Sequence, residues 1–105
     1  MTENRVQLDA EVAERIPLRV TPAGVPIVEC LLAHRSRQVE GGSEREVGCE
    51  IWAVAVGDLA RIAATAAPGA RVRVEGFLAA RSLKRRSPVL HLNKIEFFEG
   101  NPNGL

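Results

Sequence analysis

The stretch Gly57-Asp58-Leu59-Ala60-Arg61-Ile62-Ala63-Ala64-Thr65-Ala66-Ala67-Pro68-Gly69 decides the fold, because it alone in the chain has a helical rhythm. Leu59, Ile62, Ala63 and Ala66 recur at i, i+3, i+4 and i+7, which lays one apolar stripe along a helix. Asp58 is placed to serve as N-cap, and Pro68-Gly69 ends the segment. The expected helix is short, about two and a half turns at 3.6 residues each.

Outward from this segment in both directions the period is two. Toward the N-terminus, Val6, Leu8, Ala10 and Val12 alternate with Arg5, Gln7, Asp9 and Glu11, the pattern of a half-buried strand. Pro17 closes or bends that strand, since proline has no N–H to give a ladder. Thr21-Pro22-Ala23-Gly24 reads as a turn. A second strand is expected over Val25 to Arg35, apolar on both faces around Val28, Cys30, Leu31 and Leu32. Gly41-Gly42-Ser43 falls in a polar loop, and Arg45 to Val56 forms the third strand.

Toward the C-terminus, Val72, Val74 and Leu78 alternate with Arg71, Arg73, Glu75 and Phe77, and Gly76 marks a bulge or sharp bend. Leu90 and Leu92, then Ile95 and Phe97, form a fifth strand whose phase slips at Asn93-Lys94. The class is therefore all-β. The order β-β-β-α-β-β is that of the OB-fold, a five-stranded Greek-key barrel with one short helix between strands 3 and 4, which binds oligonucleotides or oligosaccharides. With 105 residues, 46% of them apolar, the chain supports one core. One domain is expected over residues 1–99, with a disordered Gly/Asn/Pro-rich tail over 100–105.

Net charge is +1, yet its distribution is uneven. Between residues 71 and 94, Arg71, Arg73, Arg81, Lys84, Arg85, Arg86 and Lys94 face Glu75 alone, whereas the rest of the chain is acidic on balance. A nearly neutral protein with one basic segment presents a localised anion-binding surface. The densest part, Arg81-Ser82-Leu83-Lys84-Arg85-Arg86-Ser87-Pro88, falls between the fourth and fifth strands. In OB-folds that loop is one of the two that grip nucleic acid. Mutual repulsion of its four cations favours a bound polyanion over a merely solvated tip.

Other classes find no support. No Ser/His/Asp constellation, P-loop or HExxH motif is present, so no enzyme is expected. Cys30 and Cys49 form no CxxC pair, and with His34 and His91 they lack zinc spacing, so neither metal nor cofactor is expected. A turn near Glu40 would set the two cysteines almost opposite each other on neighbouring strands, both reduced. No apolar run reaches membrane length, and the first residues do not read as a signal peptide, which implies a cytoplasmic protein without membrane association.

Two sets of segments carry a family resemblance. Ala55-Val56-Gly57-Asp58-Leu59-Ala60, Pro68-Gly69 and Val72-Arg73-Val74-Glu75-Gly76-Phe77-Leu78 resemble the strand-helix-strand core of bacterial single-stranded-DNA-binding proteins. Pro22-Ala23-Gly24-Val25-Pro26, Leu32-Ala33-His34-Arg35-Ser36 and Val89-Leu90-His91-Leu92 narrow the likeness to the primosomal replication protein N (PriB) family, over about Asn4 to Gly100. The resemblance implies a homodimer that binds single-stranded DNA during replication restart and contacts the PriA helicase and DnaT. It also singles out Arg35, on the face of the second strand opposite Cys30, Leu32 and His34; Arg19 is a further candidate that the resemblance does not single out. In the family, aromatic residues stand where this chain has Ser43 and Gly48, so weaker base stacking is expected here.

The DNA-binding residues expected are thus Arg81, Lys84, Arg85, Arg86, Arg35, Trp52 and Arg19. Trp52 opposes Cys49, Ile51 and Ala53 in strand parity and so faces outward, as a displaced stacking residue or as an interface aromatic. His34 is expected as a hydrogen-bonded barrel residue, and Phe77, Phe97 and Phe98 as core or interface. Two other readings stand beside this one: an RNA-binding OB module, which four aromatics in the whole chain disfavour, and a protein-interaction adaptor with weak DNA affinity.

Overall fold

The computed structural model describes residues 2–98, so the tail expected over 100–105 lies outside the described residues. The elements are β1 (Val6–Val20), β2 (Pro26–Glu40), β3 (Ser43–Val56), α1 (Asp58–Ala63), β4 (Arg71–Ala80) and β5 (Pro88–Phe97). They form one closed barrel in the order β1-β2-β3-β5-β4, the expected OB-fold. Every pair is antiparallel except β3 with β5, which run parallel through Ala53↔Leu90 and Val54↔His91.

β1 makes closure possible. Its first half pairs with β4 from Val6↔Gly76 to Glu11↔Arg71, and its second half pairs with β2 from Glu11↔Ala33 to Val20↔Pro26. Register shifts at Val12/Glu14 and Ile16/Arg19 bend the strand. Pro17 therefore bends β1 without ending it. The alternation already breaks at the first of these shifts: Val12 is buried, but both Ala13 and Glu14 are exposed.

β2 and β3 run well past the rest of the barrel. Their ladder continues to Glu40↔Ser43, whereas β1 leaves β2 at Ala33. Gly41 and Gly42 close the arm with φ of 60° and 83°, the backbone that a two-residue type I′ hairpin requires. Centring the turn between these glycines corrects the cysteine expectation. Cys30 pairs with Ala53 and Cys49 with His34, so the thiols are four residues apart along the ladder, about 13 Å at 3.3 Å per residue. That separation excludes a bridge without backbone movement. Cys30 is buried, which pushes its thiol pKa up, and Cys49 is exposed on the arm.

The helix is shorter than its pattern suggested. Only Asp58–Ala63 is α-helical, and tighter i→i+3 bonds (Thr65 N–H to Ile62 C=O, Ala66 N–H to Ala63 C=O) carry the chain onward. Gly57 is the N-cap, at φ 76°, with no side-chain cap; Asp58 sits inside the first turn, where its charge meets the helix dipole. Ala60, Ala63 and Ala66 face the core, whereas Ile62 is 48% exposed. Small residues let the helix backbone sit close against the barrel, whose interior is filled by Val12, Val28, Cys30, Leu32, Val72, Val74, Leu90 and Leu92. Arg15 ties the segment down by donating to the Ala66 carbonyl at 2.8 Å.

The bend expected at Gly76 is present. Glu75 pairs with Lys94 but Gly76 pairs with Leu92, which leaves Asn93 as the extra residue, at the point where the fifth strand's phase slips. A Cβ at Gly76 would overlap the backbone carbonyl of His91. Beyond this bulge Leu78 is partly exposed and leaves the alternation of Val72 and Val74. Because the obstruction is backbone and cannot rotate away, Gly76→Ala should destabilise the fold by about 3 kcal/mol or more, at or above the upper end of overpacking costs. Urea unfolding should show this as a lower midpoint at unchanged slope.

Candidate nucleic-acid interface

Because β3 and β5 are parallel, the start of each leaves the barrel at the same end. The β2–β3 arm precedes β3 and the loop of residues 81–87 precedes β5, so both project from that end, and α1, which follows β3, lies at the other. The loop is an ordered hairpin tip. Arg81 N–H donates to the Ser87 carbonyl at 3.1 Å, and Ser82 N–H to the Arg85 carbonyl at 2.9 Å. Arg85 N–H in turn donates to Ser82 Oγ at 2.9 Å.

The seven expected contact residues divide into three sets. Lys84, Arg85 and Arg86 stand exposed on the loop, and none has an acid partner among the described residues. Arg81 and Arg19 instead converge on one carboxylate: each places a guanidinium nitrogen 3.4 Å from Glu29. Glu29 is on the outer face of β2, and Arg81 folds back from the loop to reach it. Two of the six cations among them are thus partly neutralised at the base of the loop.

Arg35 and Trp52 form the third set, on the outer face of the arm and its root. Arg35 is exposed and pairs across the ladder with Gly48. A Cβ at Gly48 would lie 3.2 Å from the His34 carbonyl oxygen and 3.5 Å from the Arg35 Cγ, so the arginine stem packs against the place where a side chain would begin. The arm's other cations are taken within it: Arg37 binds Glu44 at 3.1 Å and Arg45 binds Glu40 at 2.7 Å. Trp52 faces outward, as its parity requires, half-buried opposite Leu31. His34 bridges the gap where β1 and β2 separate. Its Nδ1 donates to the Asp9 carbonyl at 2.7 Å, and its Nε2 accepts from the Ser36 hydroxyl at 2.8 Å.

The sequence reading missed two aromatic groupings. Phe77 is 40% exposed on the outer face and stacks on His91, with ring centroids 5.2 Å apart and planes 5° from parallel. The signal was available in its parity with Arg73 and Glu75. Phe98 lies under the guanidinium groups of Arg71 and Arg73, each 5.5 Å from its centroid. Arg73 also binds Asp9 through two bonds of 2.6 and 3.1 Å, which hold the Asp9 carboxyl below the usual carboxylate range. The basic segment of residues 71–94 is therefore dispersed: Arg73, Arg81 and Lys94 have acid partners, and Arg71 rests on a ring.

A family of single-strand binding proteins, described as another single-strand binding protein family, matches residues 4–94. The chain is 41% identical over 98 residues to the replication restart protein PriB of Bordetella pertussis, covering 93% of this chain and 92% of that one. The chain belongs to the PriB family of single-strand binding proteins. Among solved structures, PriB from Ralstonia solanacearum superposes with a TM-score of 0.83 at 39% identity, covering 93% of this chain and all of that one. A deletion mutant of the single-stranded DNA binding protein from Thermus aquaticus gives a TM-score of 0.80 at 26% identity, with 94% of this chain covering 52% of that one.

If Glu29 restrains Arg19 and Arg81, Glu29→Gln should free both and strengthen attraction to any polyanion. The variant should elute from a heparin column at higher salt than Glu46→Gln, which removes an acid that pairs with no cation among the described residues. Equal shifts would show that Glu29 restrains neither arginine.

Proposed function

We propose that this protein is a non-catalytic, single-stranded-DNA-binding homodimer of the replication-restart primosome. It holds exposed strands at stalled forks in the cytoplasm and bridges the PriA helicase and DnaT. The observation that carries DNA binding is the loop tip: three exposed cations without acid partners among the described residues, on the β4–β5 loop of an OB barrel. Single strands are held by cations along the phosphates and by groups that pack on the bases. Arg35 extends the basic surface onto the arm, and Trp52 is the stacking candidate. Arg19 and Arg81 join when a phosphate displaces Glu29. The names of the PriB relatives support the restart setting.

Two observations support the dimer. β1 from Val6 to Ala10 is paired on its β4 side only, which leaves a strand edge open for another chain. Leu31 and Ala33, apolar and half-buried, face outward beside Trp52. Sedimentation at micromolar concentration should give roughly twice the 11.4 kDa chain mass; a monomer at that concentration would remove the homodimer from the reading.

A second reading, an adaptor with weak DNA affinity, is favoured by Ser43, Gly48 and the arm's self-neutralised charge. Anisotropy of labelled oligo-dT across a salt series separates the two. Replacing Lys84, Arg85 and Arg86 with alanine should weaken binding to every sequence alike. Losing about three phosphate contacts should flatten the slope of log affinity against log salt by about two units, at ~0.7 per contact for single strands. Folding should be little changed, because exposed loop charges usually move stability by less than about 0.5 kcal/mol. Wild-type affinity and slope in the triple variant would put the adaptor ahead, and tighter binding to oligo-U than to oligo-dT would favour the RNA module.

A further inference from the structure

Leu83 is 91% exposed, more than any other large apolar residue among those described. It sits at the tip of the basic loop, beside Lys84, Arg85 and Arg86. The tip is fastened by the reciprocal pair of bonds between Ser82 and Arg85, so Leu83 is presented on a fixed turn. Neither turn glycine nor positive φ is involved, and the loop closes without burying Leu83 in the barrel. The other exposed large apolar side chains, among them Val39 at the arm's end and Phe77 on β4, have no cation without an acid partner within two positions along the chain, except Ile62 next to Arg61 and Ile16 next to Arg15, whose guanidinium is held by the Ala66 carbonyl.

An apolar side chain flanked by free cations matches the two chemistries of an unstacked nucleotide, a charged phosphate and an uncharged, flat base. We infer that Leu83 is a base-contacting residue: it packs on the face of a nucleobase while Lys84, Arg85 and Arg86 hold the adjoining phosphates. The inference rests on the single-strand reading above and deepens it. Charge complementarity selects a polyanion as occupant, and the apolar tip selects one whose units carry apolar faces. Inserted leucines serve as wedges against bases elsewhere among nucleic-acid-binding proteins. On a chain with Ser43 and Gly48 in place of rings, Leu83 gives the basic loop a means of gripping bases as well as phosphates.

The test compares wild type, Leu83→Ala and Leu83→Met on oligo-dT and on an abasic oligonucleotide of equal length and charge. Leu83→Ala should weaken oligo-dT binding by about three- to tenfold, the scale of losing part of one buried leucine. The salt slope should stay unchanged, because no counterion is involved. Abasic binding should be the same for both proteins, and Leu83→Met, which conserves volume, should restore most of the affinity. Equal losses on both strands would mean that Leu83 only shapes the loop, and would overturn the inference. So would unchanged oligo-dT binding accompanied by Leu83-dependent co-sedimentation of the wild type with phosphatidylglycerol vesicles, which would assign the tip to a lipid surface. A wild-type protein that leaves oligo-dT unbound would instead overturn the single-strand reading, and the inference with it.

Discussion

This five-stranded barrel closes through one strand that serves two neighbours with successive halves of its length, and that strand is β1. It follows β4 up to Glu11 and β2 from Glu11 onward, and it turns between them at Val12. Val12 is fully buried, and both of its backbone groups bind the segment that leaves the helix. Its N–H donates to the Ala70 carbonyl at 2.9 Å, and its carbonyl accepts from Gly69 N–H at 2.7 Å. One residue thus joins the bend of β1, the end of the helical segment and the entry to β4. An unpaired backbone group at this depth would cost on the order of 1–3 kcal/mol, so bend and helical segment stabilise each other.

Closure by a parallel β3–β5 contact also fixes the placement of the two candidate binding elements. Two hairpins must leave the barrel at one end, and they are unlike in charge. The β2–β3 arm pairs its own acids and bases, and among its cations only Arg35 lacks an acid partner among the described residues. The β4–β5 loop keeps Lys84, Arg85 and Arg86 available and draws Arg81 back onto Glu29. The anion-attracting surface is therefore smaller and sharper than the charge of residues 71–94 suggests. Exposed ion pairs contribute little to stability, about 0–1 kcal/mol each, so their main effect here is to set which cations remain free.

How much was legible depends on what holds each segment. Where a strand has a buried face, alternation exposes it, as in Val6 to Val12 and Val72 to Val74, and the slip at Asn93 announced the bulge beside Gly76. The second strand is expected to end at Arg35, yet it continues to Glu40, where the one apolar residue, Val39, is exposed. That part of the arm has no core and is held by its backbone ladder and ion pairs, which leave no hydrophobic pattern. Asp58 resembled an N-cap, yet Gly57 took the position, because the sharp exit from β3 demands positive φ. Ile62 fitted the apolar stripe, but the helical segment presents Ala60 inward in its place, beside Ala63 and Ala66 of the stripe.

The sequence alone determined the all-β class, the element order, the outward aim of Arg35 and Trp52, and the basic loop as the richest anion-binding candidate. Each of these rests on local information: periodicity, turn chemistry and charge density along the chain. Only the tertiary structure decided which cations are free. Glu29 meets Arg19 ten residues away and Arg81 fifty-two residues away, and Asp9 meets Arg73 across sixty-four. Such partners come together through barrel closure and the path of the loop, neither of which leaves a trace in local spacing. The same holds for Phe98 beneath Arg71 and Arg73, since a ring becomes a cation's support only when the fold sets one over the other.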